Sequence, residues 1–407
     1  MISFNNSFFF DKKGLNLDKN TKYKKNIELA ISSSDKILKE FHDGSNEILE
    51  SFTGNYQKRI RSIRKKISFQ NKKKIVIGLG GSSSGAKALS FYINNEIIFF
   101  DNLDYSYFKN FFLQNKVSDY FFFIISKSGD TFETLALLNL LILENNKIKN
   151  NNIFDSILII TENRENALRL FAQKNNIQII EHNKNIGGRF SILSETGMLP
   201  ILEGDKIIVE KGSEKFIKLL NNAIDDLSPI KNAAILLTCL DEMKLNMYCN
   251  LLYNYRLKHF SYWFHQLHAE SLGKHGKGMT PVTSICPKDH HSMMQLYLDG
   301  PRDKFFNIFS PPDEVYYDSF IKQNFVSIES YSPSALLEKQ FKSVIDVFYD
   351  KKIPHRVINI SNHKDPLNLI ELFSYFILET ILLGKMIGID PYNQPAVQLI
   401  KDKIFKK

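Results

Sequence analysis

The sequence predicts an α/β protein, with two doubly wound parallel-sheet domains followed by a C-terminal helical tail. Three observations point there. The chain has 407 residues, 43% of them hydrophobic, more than a single hydrophobic core usually serves. From about residue 75, short apolar runs alternate with longer amphipathic stretches, the rhythm of βαβ units. After a polar stretch from Glu203 to Ser228 the same alternation resumes.

Taken in order, Ile75–Ile77, Ile97–Phe100, Phe121–Ile125, Ile157–Ile160 and Ile177–Ile180 read as the strands of the first domain. Runs this continuous suit strands covered on both faces, and the links between them impose a right-handed parallel sheet. Met247–Leu252, Thr283–Ile285, Phe305–Phe309 and Arg356–Ile360 read as the strands of the second. Leu367–Ile389 is lipid-like in composition but contains Glu371, Glu379 and Lys385. Each would cost roughly 2.5–3.5 kcal/mol at a bilayer centre, so a buried core helix is expected. Pro391 and Pro395 punctuate the approach to a final helix. The expected division is a segment without interpretable motifs at 1–45, domains at 46–205 and 206–390, and the tail at 391–407.

Composition narrows the function. With 33 Phe, 17 Tyr and 24% charged residues, the chain is too rich in core-forming side chains to be disordered. Cys239, Cys249 and Cys286 have no CxxC spacing, which argues against a disulfide framework or a thiolate zinc site and for a reducing cytosol. The opening MISFNNSFFFDKKG lacks the basic lead and small-residue cleavage site of a secretory signal. The net charge is +9, and its densest run, at 58–66, has no interleaved aromatics. It reads as a solvated helix rather than a nucleic-acid surface. No nucleic acid, membrane or metal is expected.

Two loops carry anion-binding chemistry. GLGGSSSGAKAL, Gly78–Leu89, leaves the first strand and enters a helix, where glycines admit close backbone approach and free amides face an anion. Ala86 after Gly85 excludes a Walker loop, and Ser83 replaces the third glycine of a dinucleotide fingerprint. Asp101 keeps a dinucleotide site as a minor alternative. SKSGDTFET, Ser126–Thr134, leaves the third strand with hydroxyls at Ser126, Ser128 and Thr131. Such a stretch is as often an N-cap cluster as a ligand site. Two of them at the carboxyl ends of parallel strands favour a phosphorylated small molecule.

Further candidates follow. In IGGRFSILSETGMLP, Gly187 and Gly188 free Arg189 to approach a ligand, unless it pairs with a carboxylate such as Glu195. In WFHQLHAESLGKHGKG, Gln266 and Glu270 share one helix face and Gly273 ends the helix, a way to deliver a carboxylate into a cleft. His265 and His268 lack the HExxH pattern and third ligand of a zinc site. His290 and His291 precede another helix, where an imidazole can move protons between sugar oxygens. Gln394 precedes the tail helix and Lys401 lies within it.

In this order, GLGGSSSG, SKSGDTFET, GGRFS, QLHAESLGK, DHHS with QLYLDG, and QPAVQLIK resemble the glucose-6-phosphate isomerase family. The resemblance runs from about residue 75 to the C-terminus. It implies two sugar isomerase (SIS) domains and a cytoplasmic, cofactor-independent aldose–ketose isomerase of glycolysis and gluconeogenesis. It also implies a homodimer in which each site borrows a histidine from its neighbour. By the same resemblance Gly81, Ser82, Ser126, Lys127, Ser128 and Thr131 bind the substrate phosphate. Glu270 moves the proton between C2 and C1 through a cis-enediolate, and Arg189 stabilises that intermediate. Gln266 and Gln394 contact the sugar chain, His291 opens the ring, and Lys401 assists at the ring or C1 oxygen. The chain departs from the family pattern at Leu272, at Gly129–Asp130 and at Gln398, and Asp130 places a negative charge beside a loop meant for a dianion. The same residues would suit an isomerase that also accepts mannose 6-phosphate. A non-catalytic sugar-phosphate sensor would not need Arg189, Glu270, His291 and Lys401 together.

Overall fold

The computed structural model describes residues 1–69, 71–148, 152–201, 206–222, 225–313 and 332–404, without the side chains of 206–210, 401, 402 and 404. The first residues of the polar stretch, 203–205, and the end of the tail, 405–407, lie outside the described residues. The chain divides into two compact units, Glu40–Phe216 and a unit made of Met1–Lys39 with Ile217–Lys407. Residues 1–39 of the segment set apart at the N-terminus, and the tail, thus cluster with the second block of strands, while 40–45 and 206–216 cluster with the first.

The chain opens on a short strand, β1 (Ile2–Asn5), of that composite unit. The unit between its two parts holds β2 (Lys73–Ile77), β3 (Ile97–Phe100), β4 (Tyr120–Ile125), β5 (Ile157–Glu162) and β6 (Gln178–His182). These are the five apolar runs of the sequence, moved by one or two residues at their ends. All pair in parallel, in the order β3-β2-β4-β5-β6. Every residue of β4 is buried, as expected of a central strand with helices on both faces. Its inward side chains Phe122 and Ile124 pack with Ile75, Ile77, Ile159, Leu137 and Leu141 in one core. Strand order reverses between β2 and β4, so the loops leaving these two strands flank the crevice where open α/β sheets take ligands.

The composite unit adds β7 (Met247–Leu252), β8 (Thr280–Ile285), β9 (Lys304–Phe309) and β10 (His355–Ile360) in the order β1-β10-β9-β7-β8. The sequence reading of a purely parallel second sheet is corrected at one edge: β1 runs antiparallel to β10. Four residues of alternating burial are too short a pattern to stand out in sequence, yet Ile2 and Phe4 point into the core. The Phe4 ring lies 4.4 Å from that of Tyr375 and 5.2 Å from the Arg356 guanidinium.

A polar row crosses this sheet. Thr283, Asn250, Asn307 and Arg356 are lateral partners on β8, β7, β9 and β10. Asn307 donates to Asn250 at 2.8 Å, Arg356 Nε donates to Asn307 at 2.7 Å, and Asn250 donates to Ser261 at 2.9 Å. The helix Pro366–Met386 lies under it, long and apolar enough to cross a membrane but 94% buried over that stretch. It is the core helix the sequence predicted, and its Glu379 faces Arg356.

Burial also sets an acid limit. Desolvation lowers His268 and His355 to about 4, below the ordinary histidine value of about 6.5. The folded state therefore refuses protons that the unfolded chain accepts. The stabilisation from keeping these rings neutral is complete above about pH 6.5 and is lost as pH falls toward about 4. Urea unfolding at pH 7.5 and pH 5 is expected to show a loss on the order of 2 kcal/mol per histidine, smaller in a His268→Phe variant.

Candidate active site

The phosphate-binding candidates sit where the first sheet reverses its order. After β2 the chain turns through Gly80–Ser82 and enters the helix Ser84–Tyr92. After β4 it passes Ser126–Thr131 into the helix Phe132–Asn145. Ser126 Oγ lies 2.8 Å from Thr131 Oγ1, and each is 3.5 Å from Ser128 Oγ. Thr131 occupies the N-cap of this helix but its side chain accepts no cap hydrogen bond. Its hydroxyl turns to Ser126 instead, so the capping alternative is not what Thr131 does. Three hydroxyls and the open amides of a 14-residue helix converge, a seat for a phosphate.

Two glycines make this geometry. A Cβ on Gly81 would lie 2.3 Å from the Gly188 backbone, so the first loop and the Gly187–Gly188–Arg189 turn fit only without side chains there. Gly129 has φ +71° and packs on the Asn166 side chain.

Cations complete the site. Arg189 is 1% exposed. Lys127 is half-buried, and its pKa is lowered by burial and by the Arg189 charge, with Glu162 opposing. The Arg189 charge is thus felt at Lys127. Glu195, the suggested partner of Arg189, has its carboxylate occupied by Tyr56 and His182. Asp130 accepts from the Ala167 amide at 2.9 Å and from Arg164 at 3.0 Å. Its charge therefore faces a guanidinium, and it braces the Ser126–Thr131 turn. Sequence offered no signal for Arg164 or Asn166, since both come from the next βα turn.

In the composite unit the helix Lys258–Leu272 ends at Gly273 as expected. Glu270, half-buried on its last turn, accepts from Gln266 Nε2 at 3.1 Å. Gln266 Oε1 is buried without a hydrogen-bond partner. Glu270 and Gln394 line one cleft of about 580 Å³, with Lys274, His275, Asp390 and Asn393. Lys274 Nζ holds it together by donating to the carbonyls of Ser271 at 3.0 Å and Asp390 at 2.5 Å. The sequence carries no signal for these two contacts, because the acceptors are main-chain atoms. Lys401 belongs to the helix Pro395–Ile404, but its side chain lies outside the described residues.

His291 is placed elsewhere. It ends a short helical turn, Lys288–His291, just beyond β8, and is exposed. Its neighbour His290 is held by Tyr253, with Oη 2.7 Å from Nε2. Glu270 lies on the helix that leads into β8, and His291 follows β8. A strand of six residues spans roughly 17 Å, so the two groups stand at opposite ends of it.

A sequence profile described as phosphoglucose isomerase matches residues 37–284. A glucose-6-phosphate isomerase of Methanocaldococcus jannaschii is 31% identical over 335 residues, 80% of this chain and 81% of that protein. The chain belongs to the phosphoglucose isomerase family. The family match takes in the Gly78–Leu89 and Ser126–Thr134 stretches, Arg189 and Glu270, and stops before His291, Gln394 and Lys401. Another family relative, the glucose-6-phosphate isomerase of Clostridium perfringens strain SM101, is 28% identical and aligns over 97% of this chain and 95% of its own. Among solved structures, a hypothetical protein from Thermus thermophilus superposes with TM-score 0.82 at 22% identity, covering 100% of this chain and 99% of that one. A glucose-6-phosphate isomerase from Chlamydia trachomatis superposes with TM-score 0.67 at 18% identity, over 86% of this chain and 72% of its own. At these identities the structures speak for a shared fold. Among the described residues no cluster of three or more His, Cys, Asp or Glu side chains could hold a metal.

Proposed function

We infer that this member of the phosphoglucose isomerase family interconverts glucose 6-phosphate and fructose 6-phosphate. Ring opening is followed by proton transfer between C2 and C1 through a cis-enediolate. The observation that carries the reading is Glu270, set by Gln266 on the wall of a cleft it shares with Gln394. Ser126, Ser128 and Thr131, with Gly81, Ser82 and Lys127 beside them, anchor the phosphate and so fix the reacting carbons. Glu270 takes the proton from one carbon and returns it to the next, while Arg189 neutralises the enediolate oxygen. The unpartnered Gln266 Oε1 receives a sugar hydroxyl, Gln394 contacts the sugar chain, and Lys401 assists at the ring or C1 oxygen.

The position of His291 supports a homodimer. An exposed imidazole at the far end of β8 from Glu270 cannot open the ring that its own Glu270 serves. It fits a role in a second subunit's site.

Incubating the purified chain with fructose 6-phosphate in deuterated water tests the reading. The expected product is glucose 6-phosphate carrying deuterium at C2, because a carboxylic acid exchanges its proton with solvent during the enediolate's lifetime. Absence of glucose 6-phosphate overturns the assignment.

A further inference from the structure

Arg189 sits on a turn, and a guanidinium meant to meet a developing negative charge must be held still. The front of the turn is fixed by backbone contact: Gly188 abuts Gly81, and Ser191 Oγ donates to the Gly188 carbonyl at 2.7 Å. Behind it lies a buried chain of side chains that the reaction itself does not use. Tyr56, on the helix Gly54–Lys65, donates its hydroxyl to Glu195 Oε2 at 2.7 Å. Glu195 Oε1 meets His182 Nδ1, and His182 Nε2 lies 3.0 Å from the Ile186 carbonyl, three residues before Arg189. Tyr56, His182 and Glu195 are 4%, 3% and 0% exposed. Although burial raises the Glu195 pKa, the hydrogen bonds and charge of His182 with the Tyr56 hydroxyl bring it below the ordinary value. A buried carboxylate so fully engaged is a stiff element, because leaving any member of the chain unpaired carries a desolvation cost.

We propose that Tyr56, Glu195 and His182 form a strut that positions the Gly187–Gly188–Arg189 turn, and through it the Arg189 guanidinium, for the isomerisation. None of the three touches the reacting atoms; they are positioning residues. The proposal rests on the role given to Arg189 above, so its test has one readout that needs no turnover.

The variants are Tyr56→Phe, which removes only the hydroxyl, and Glu195→Gln, which keeps the shape. Glu195→Asp is the conservative control. Amide hydrogen exchange of the segment 183–194 is expected to quicken at least about tenfold in both variants, with the rest of the unit at wild-type rates. In kinetics, kcat for fructose 6-phosphate is expected to fall about tenfold with KM within about twofold, since the Ser126, Ser128 and Thr131 hydroxyls that carry most of the phosphate binding are untouched. Glu195→Asp should recover part of the loss. In an Arg189→Met background the same changes should have no further effect on kcat, whereas a merely structural defect would still lower it. Wild-type exchange in the segment overturns the strut. Faster exchange with unchanged kcat, or a kcat loss that persists without Arg189, overturns its action through Arg189. If the wild-type chain shows no turnover, the isomerase reading and the strut's catalytic role both fail, and the exchange data still decide whether the strut holds the turn.

Discussion

Replacing Glu270 by Gln is expected to lower kcat for fructose 6-phosphate by about a thousandfold while KM stays within about threefold. The substitution is nearly isosteric, and a glutamine oxygen can still accept from Gln266 Nε2, now at 3.1 Å from Glu270 Oε1. The side chain keeps its place on the cleft wall, so what disappears is the ability to take a proton. Ground-state binding is assigned to Ser126, Ser128, Thr131 and Lys127, none of which is near Glu270 in sequence or in its compact unit. Binding energy is therefore retained and transition-state stabilisation is lost. Steady-state kinetics give the split, and the deuterium content of residual product gives the mechanism. A variant that keeps near-wild-type kcat would place the base elsewhere and leave Glu270 as half of a surface Gln–Glu pair.

What the sequence made legible follows from the range over which each signal acts. β2 and β4 are continuous apolar runs bounded by glycine and serine, so their places, and the glycine- and hydroxyl-rich turns after them, were readable within a window of ten residues. The helix end at Gly273 and the shared face of Gln266 and Glu270 were local as well. β1 was not, because the burial of Ile2 and Phe4 depends on β10, more than 350 residues away in the chain. The polar row of Thr283, Asn250, Asn307 and Arg356 breaks the apolar rule for buried parallel strands, and only lateral register reveals that its members pair. Asp130 looked like a misplaced charge in a phosphate loop until Arg164 and the Ala167 amide were seen beside it. Glu195 looked like a partner for Arg189, and its actual partners come from the helix before β2 and the end of β6. In each case the deciding neighbour was a tertiary contact, which composition and periodicity do not encode.

The second large effect is expected in stability. Arg356→Met should destabilise the composite unit by about 3–5 kcal/mol. Arg356 is wholly buried, and each of its five N–H groups has an acceptor. Nε donates to Asn307 at 2.7 Å, Nη1 to Tyr375 at 2.8 Å and Glu379 at 2.6 Å, and Nη2 to Tyr248 at 2.5 Å and Glu379 at 3.0 Å. Glu379 also receives the hydroxyls of Tyr248 and Tyr375, both at 2.7 Å. Burial by itself would raise the Glu379 pKa, but the Arg356 charge and these hydrogen bonds hold it below the ordinary carboxylate value. A depressed carboxylate contributes stability that is present above the free-carboxylate range and is lost as pH falls through its folded value. Removing Arg356 takes away the main group that keeps Glu379 charged, so the buried carboxyl must either take up a proton or remain an anion with only two hydroxyl donors, and both cost stability. The double variant Arg356→Met/Glu379→Leu should regain most of the loss, because an apolar pair of similar volume incurs no charge desolvation. Urea unfolding of the two variants at pH 7.5 checks both statements. A single-variant loss below about 1 kcal/mol would mean that the pair behaves as a solvated surface bridge, and a double variant no more stable than the single would show that packing in the polar row, rather than the stranded charge, sets the cost.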